Sequence, residues 1–124
     1  MDFTKAIEEI IKDTNDNKIV WKNENPENYQ KIVSNYHFAY KAYSCDYSKN
    51  EQSIQLLFVE KKALFEDEIT ESYYPELIVI NKSSVVGILD EHNSSRDDLI
   101  RLSGAIENNN EGMNNFVKMF EQGG

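Results

Sequence analysis

The chain has 124 residues, of which 40% are hydrophobic and 28% charged, with seven Tyr, six Phe and one Trp. That length suits one globular domain, roughly 65% of whose unfolded surface can be buried, and five Gly with two Pro exclude a collagen-like or linker-like chain. The net charge of −9 is uneven: residues 1–62 hold ten acids and nine bases, whereas 63–124 hold twelve acids and four bases. A domain that binds DNA or RNA directly needs a basic face to neutralise phosphates, so nucleic acid is not the expected partner.

The single cysteine, Cys45, cannot form an intramolecular disulfide, and the N-terminus lacks the order of a signal peptide. A cytoplasmic location is expected. Apolar runs such as Leu77 to Ile80 are too short to span a bilayer, and the acidic half would be repelled by anionic headgroups. Eleven Lys against two Arg, with 14 Asn and 12 Ile, are residues favoured by A+T-rich codons and suggest a low-GC bacterium or one of its phages.

Phe3, Ala6, Ile7, Ile10 and Ile11 fall on one face of a 3.6-residue period and predict a first helix, which the polar run Asp13 to Asn17 is expected to end. Ile19, Val20 and Trp21 read as a short strand. Residues 23 to 47 admit two readings. Pro26 near a helix start, with Tyr29, Ile32, Val33, Tyr36, Tyr40, Tyr43 and Tyr47 at approximately helical spacing, supports a helix. The aromatic-rich run from Phe38 to Tyr47, followed by Ser48 to Glu51 and a β-rich run from Ser53, supports a hairpin of 37–47 against 53–62, with at most a helical turn near Pro26 to Val33. The hairpin is the preferred reading.

Leu64 to Glu76 carries five acids and no base and reads as a connection that extends the preceding strand briefly. Glu76 to Ile80 and Val85 to Leu89 form the clearest hairpin. Ser94 and Ser95 each stand three residues before an Asp, the spacing of a helix N-terminus, and Leu99, Leu102 and Ile106 face inward on that helix. Met113, Phe116, Val117 and Phe120 define a last amphipathic helix, and 122–124 a frayed tail. This order predicts one α+β domain over residues 1–122, with a single antiparallel sheet of about five strands carrying an N-terminal helix and C-terminal helices.

Chemistry-bearing motifs are sparse. His37, His92 and Cys45 form no set with metal-ligand spacing, and no nucleophile elbow or glycine-rich phosphate loop is present. His92, beside Asp90 and Glu91, reads as a solvated loop residue, His37 as a strand start and Cys45 as a small buried hydrophobe. No catalytic residue, metal or cofactor is therefore expected, and the chain reads as non-enzymatic. The acidic residues allow a solvated face that only keeps the protein soluble, or a docking surface on which carboxylates steer a basic partner protein and aromatic side chains supply the buried centre. The second reading selects Glu66, Asp67, Glu68, Glu71, Tyr73, Tyr74, Asp90 and Glu91, with Phe65 beside them. Tyrosine is enriched at interfaces; alternate rings packed under the flanking helices are the preferred reading, while more Tyr than one sheet face can bury leaves an exposed strip as the alternative.

The first helix, Lys18 to Lys22 with its Trp, Tyr40 to Tyr43, Tyr73 to Ile80, Ile88-Leu89 and the Leu99, Leu102, Ile106 spacing together resemble a group of small bacterial domains found in mobile elements and conflict systems. The resemblance implies a Trp that opens the sheet, a closing C-terminal helix and an adaptor-like role. The chain departs from that pattern at Asn81 to Gly87, where a turn without glycine replaces one with it, and no functional residue carries over. The sequence therefore points to an immunity, antitoxin or adaptor-like interaction module. Two alternatives remain: a small-ligand or nucleotide-binding sensor or sequestering protein, and a phosphate-mimicking inhibitor of a nucleic-acid-binding protein.

Overall fold

A computed structural model describes residues 3–30 and 36–121. Its elements in chain order are helix α1 (Thr4–Asn15), strand β1 (Lys22–Glu24), a 3₁₀ turn (Pro26–Tyr29), β2 (His37–Lys49), β3 (Gln52–Phe65), β4 (Glu68–Ile69), β5 (Tyr74–Asn81), β6 (Ser84–Leu89), α2 (Arg96–Asn108) and α3 (Glu111–Glu121). The strands form one six-stranded antiparallel sheet in the order β1-β2-β3-β5-β6, with β4 folded back on β3. The expected α+β architecture is the one observed.

The long β2–β3 ribbon is the backbone of the sheet, with Tyr43 opposite Phe58 and Cys45 opposite Leu56. Side chains alternate along it, so these four face the helices while Ala42, Leu57 and Val59 face the other way. The main core lies on the helix-covered side: Ile7, Ile10 and Ile11 from α1, Trp21, Phe58, Leu77, and Leu99, Leu102 and Ile106 from α2. A smaller cluster of Ala39, Ala42, Leu57, Val59 and Ile78 occupies the opposite face, where Tyr29 of the 3₁₀ turn packs on it.

Three hairpin turns share one conformation. Asn50-Glu51, Glu66-Asp67 and Lys82-Ser83 each place two consecutive residues at positive φ, between 50° and 67°. This is the two-residue turn whose twist matches that of the flanking strands, and here it is built without glycine.

Several boundaries differ from the sequence expectation. Asp13 and Thr14 lie inside α1, because the Thr14 hydroxyl donates to the Ile10 carbonyl and accepts from Trp21 Nε1, while Asp13 accepts from the Tyr47 hydroxyl. Strand pairing begins at Lys22; the Trp21 backbone instead bridges to Asn110 and accepts from Glu111 N. Of the segment Pro26 to Val33, a 3₁₀ turn forms at Pro26–Tyr29, while 31–35 and the tail 122–124 lie outside the described residues. The 64–76 connection folds into the short β3–β4 hairpin. The helix α3 forms as expected, but it touches the sheet edge at β1 and buries none of its residues.

Candidate interaction surface

Strand order decides where the acidic segments go. In antiparallel pairing His37 lies opposite Ala63, Lys61 opposite Tyr74, and Leu77 opposite Leu89. The start of β2, the end of β3, the start of β5 and the end of β6 therefore share one end of the sheet. The β3–β4 hairpin projects from that end, and the loop after β6 leads from it into the N-terminus of α2. Glu66, Asp67, Glu68, Glu71, Asp90, Glu91, Asp97 and Asp98 thus all belong to one end of the molecule.

The hairpin is tied at its base by hydrogen bonds. Thr70 N and the Thr70 hydroxyl both donate to the Ala63 carbonyl, at 3.0 and 2.9 Å, and Ala63 N donates to the Ser72 hydroxyl at 2.8 Å. Its tip carries Glu66, Asp67 and Glu68, all exposed, beside two exposed apolar side chains, Phe65 at 69% and Ile69 at 54%.

The second acidic segment is ordered by its own short side chains. His92 N donates to the Asp90 carboxylate, Asp90 N to the Asn93 side-chain oxygen, and Asn93 Nδ2 to the Ile88 carbonyl. Ser95 then caps α2, accepting from Asp98 N, and Asp97 and Asp98 sit in the first helical turn, where the macrodipole favours negative charge. Arg96 turns back to donate to the Tyr73 carbonyl at 2.6 Å and reaches Glu91 at 3.4 Å.

Two buried ionisable residues outside the sequence-predicted set, Glu60 and Lys61, sit just inside this end. Glu60 lies under α2, where its Oε1 accepts from the hydroxyls of Tyr73 and Ser103 and its Oε2 has no partner among the described residues. Lys61, on the opposite face, is paired with Glu76. The available signal is three consecutive charged residues, Glu60 to Lys62, in the middle of the otherwise apolar run from Leu56 to Leu64. Burial, and then the hydrogen bond to Glu60, hold the Tyr73 phenol well above its ordinary pKa. His37 is lowered by burial and by the Lys61 charge, with Glu76 opposing.

The eight selected residues are therefore divided. Tyr74, Asp90 and Glu91 line a common pocket of about 300 Å³ with His37, Lys61, Pro75, Glu76 and His92. Glu66, Asp67, Glu68 and Glu71 lie on the neighbouring hairpin segment, outside that pocket's lining. Tyr73 is half-buried with its hydroxyl turned inward to Glu60. The tyrosines do not form an exposed strip: Tyr43 is buried, Tyr29, Tyr40, Tyr47, Tyr73 and Tyr74 are half-buried, and Tyr36 is exposed. Rings on alternate strand positions are drawn into both packed faces.

Cys45 is buried in the main core and its thiol is pushed up to about 12 by desolvation. Among the described residues no group of His, Cys, Asp and Glu is placed to hold a metal ion, and no helix is long and apolar enough to cross a membrane. Fold and surface together define an α+β domain with helices on one sheet face and an acidic sheet end. Comparison with protein-family models, with curated proteins and with solved structures gave no match.

Proposed function

We propose that this chain is a protein-interaction module, of the immunity, antitoxin or adaptor kind, that docks a basic partner protein on the acidic end of its sheet. The supporting observation is the convergence of both acidic segments on one sheet end, beside exposed Phe65 and Ile69. Carboxylates at the rim accelerate encounter with a basic surface, and the two apolar side chains supply area to bury at the centre. Affinity capture from the native host tests this. The partner is recovered at low salt, is lost as ionic strength rises, and is not recovered by a variant carrying Glu66→Lys, Asp67→Lys and Glu68→Lys. Identical partners for the variant and the parent chain would remove the acidic end as the docking surface.

One observation favours a small-ligand reading as the second choice. The sheet face away from the helices has a hollow of about 270 Å³ lined by Lys22, Glu24, Tyr29, Ser44 and Gln55 among others. Native mass spectrometry of the purified protein, showing a retained metabolite, is the measurement that supports it.

A further inference from the structure

The pocket between the start of β5 and the loop after β6 has a defined chemical character. Its inner wall is the Lys61–Glu76 pair, with side chains only 6% and 16% exposed, so the one buried cation of the pocket is already neutralised. Tyr74 contributes an aromatic ring, set edge-on to His37 at 5.1 Å between centroids. Asp90 and Glu91 also line it, and among the described residues the cation that reaches them, Arg96, meets Glu91 at 3.4 Å. His37 Nδ1 is buried without a hydrogen-bond partner among the described residues. Burial, and then the Lys61 charge, lower the pKa of the ring with Glu76 opposing, which favours the neutral imidazole, in which one nitrogen is an acceptor.

Among the described lining residues, three carboxylates against one ammonium leave the pocket net negative, and an anion entering it would meet Asp90 and Glu91. A planar guanidinium fits these groups. It stacks on aromatic rings, donates to two carboxylates at once, and carries enough N–H groups to reach an imidazole as well. We infer that this pocket receives one arginine side chain of the basic partner, held between Tyr74, the Asp90 and Glu91 carboxylates and His37. This rests on the docking reading above and locates its anchor, a single desolvated cation of the kind that dominates interface energetics.

Nα-acetyl-arginine methylamide, titrated into the intact chain at pH 7.5 and followed by NMR, tests the inference without the partner. Saturable shifts of His37, His92 and Tyr74 signals are expected, with affinity at least fivefold weaker in Asp90→Asn/Glu91→Gln and in Tyr74→Leu. Glu66→Gln/Glu68→Gln, which lies outside the pocket, is expected to bind as the parent chain does. Absence of saturable shifts, equal response to acetyl-glutamate methylamide, or unchanged binding in Asp90→Asn/Glu91→Gln would overturn it. Probe failure combined with loss of the partner in the Glu66, Asp67 and Glu68 lysine variant refutes the pocket and leaves the docking surface standing. Probe binding with unchanged partner capture supports the pocket and refutes the hairpin surface.

Discussion

Glu60 and Lys61 are consecutive residues of β3, both buried, yet they find their polar partners on opposite faces of the sheet and by different means. Glu60 is met under α2 by two hydroxyls, those of Tyr73 and Ser103, whereas Lys61 is met by the Glu76 carboxylate. Strand alternation forces this separation, since successive side chains leave the pleat in opposite directions. The acidic end is thereby tied inward twice, once to the helix layer and once to the pocket wall.

Tyr73→Phe removes one of the two donors to Glu60 and leaves a buried carboxylate with less compensation. Hydrogen bonds to charged groups contribute about 2 kcal/mol, so urea unfolding is expected to show a loss of that size. The same change made in Glu60→Gln is expected to cost less, because the acceptor is then uncharged. Equal losses in the two backgrounds would mean that the Tyr73 hydroxyl does not act through Glu60.

Breaking the Lys61–Glu76 pair from one side strands a buried charge. Lys61→Met or Glu76→Leu alone is expected to destabilise by about 3 kcal/mol, while the double variant comes within about 1 kcal/mol of the parent chain. Chemical denaturation of the three variants completes the cycle; additive losses would contradict the pairing.

His37 gives the fold a pH dependence of definite sign. Its folded pKa is depressed below the ordinary value of 6.5, so the unfolded chain binds more protons near that pH. Stability from this residue is present above the unfolded pKa and falls as the pH drops through it. The urea midpoint of the parent chain is expected to fall between pH 7.5 and 5.5 by more than that of His37→Phe. Parallel pH curves would exclude His37 as the source.

The glycine-free turns store strain that a single substitution can release. A non-glycine residue in the left-handed region is disfavoured by about 1 to 2 kcal/mol, part of which is offset by the greater unfolded-state entropy of glycine. Glu51→Gly, which creates the favoured Asn-Gly pair, and Ser83→Gly are each expected to raise stability by about 1 kcal/mol and Tm by about 4 °C. Calorimetry checks both. A lower Tm would show that these side chains make contacts outweighing the backbone cost.

Helix α3 leaves Met113, Phe116, Val117, Met119 and Phe120 exposed and buries none of its residues. Ending the chain at Asn115 keeps the Asn110 side-chain bond to Met113 N and, among the described residues, removes only exposed ones, Phe116 to Glu121. The Tm is expected to shift by less than about 2 °C while binding of an apolar dye falls. A cooperative loss of structure would mean that α3 contributes to the core.

What local pattern determines was readable from the residues. The apolar period of α1, the Ser95 cap of α2 with its inward Leu99, Leu102 and Ile106, and the hairpin ending in Leu89 depend on neighbours within one turn or one strand. Where distant partners decide, local pattern misleads. Asp13 and Thr14 carry turn-forming side chains, and they stay helical because Tyr47, Trp21 and Lys49 reach them from other elements. Trp21 follows the strand-favouring Ile19 and Val20, yet its backbone is held by Asn110 and Glu111 across the fold.

The same division holds for the candidate surface. Sequence alone determined that the charge is concentrated in two segments, because charge is a property of residue type. Tertiary structure decided that both segments share one end of the sheet, that Tyr73 turns inward while Tyr74 lines a pocket, and that Glu60 and Lys61 are buried beneath them. Those outcomes follow from strand order and register, which depend on pairings between residues far apart in the chain.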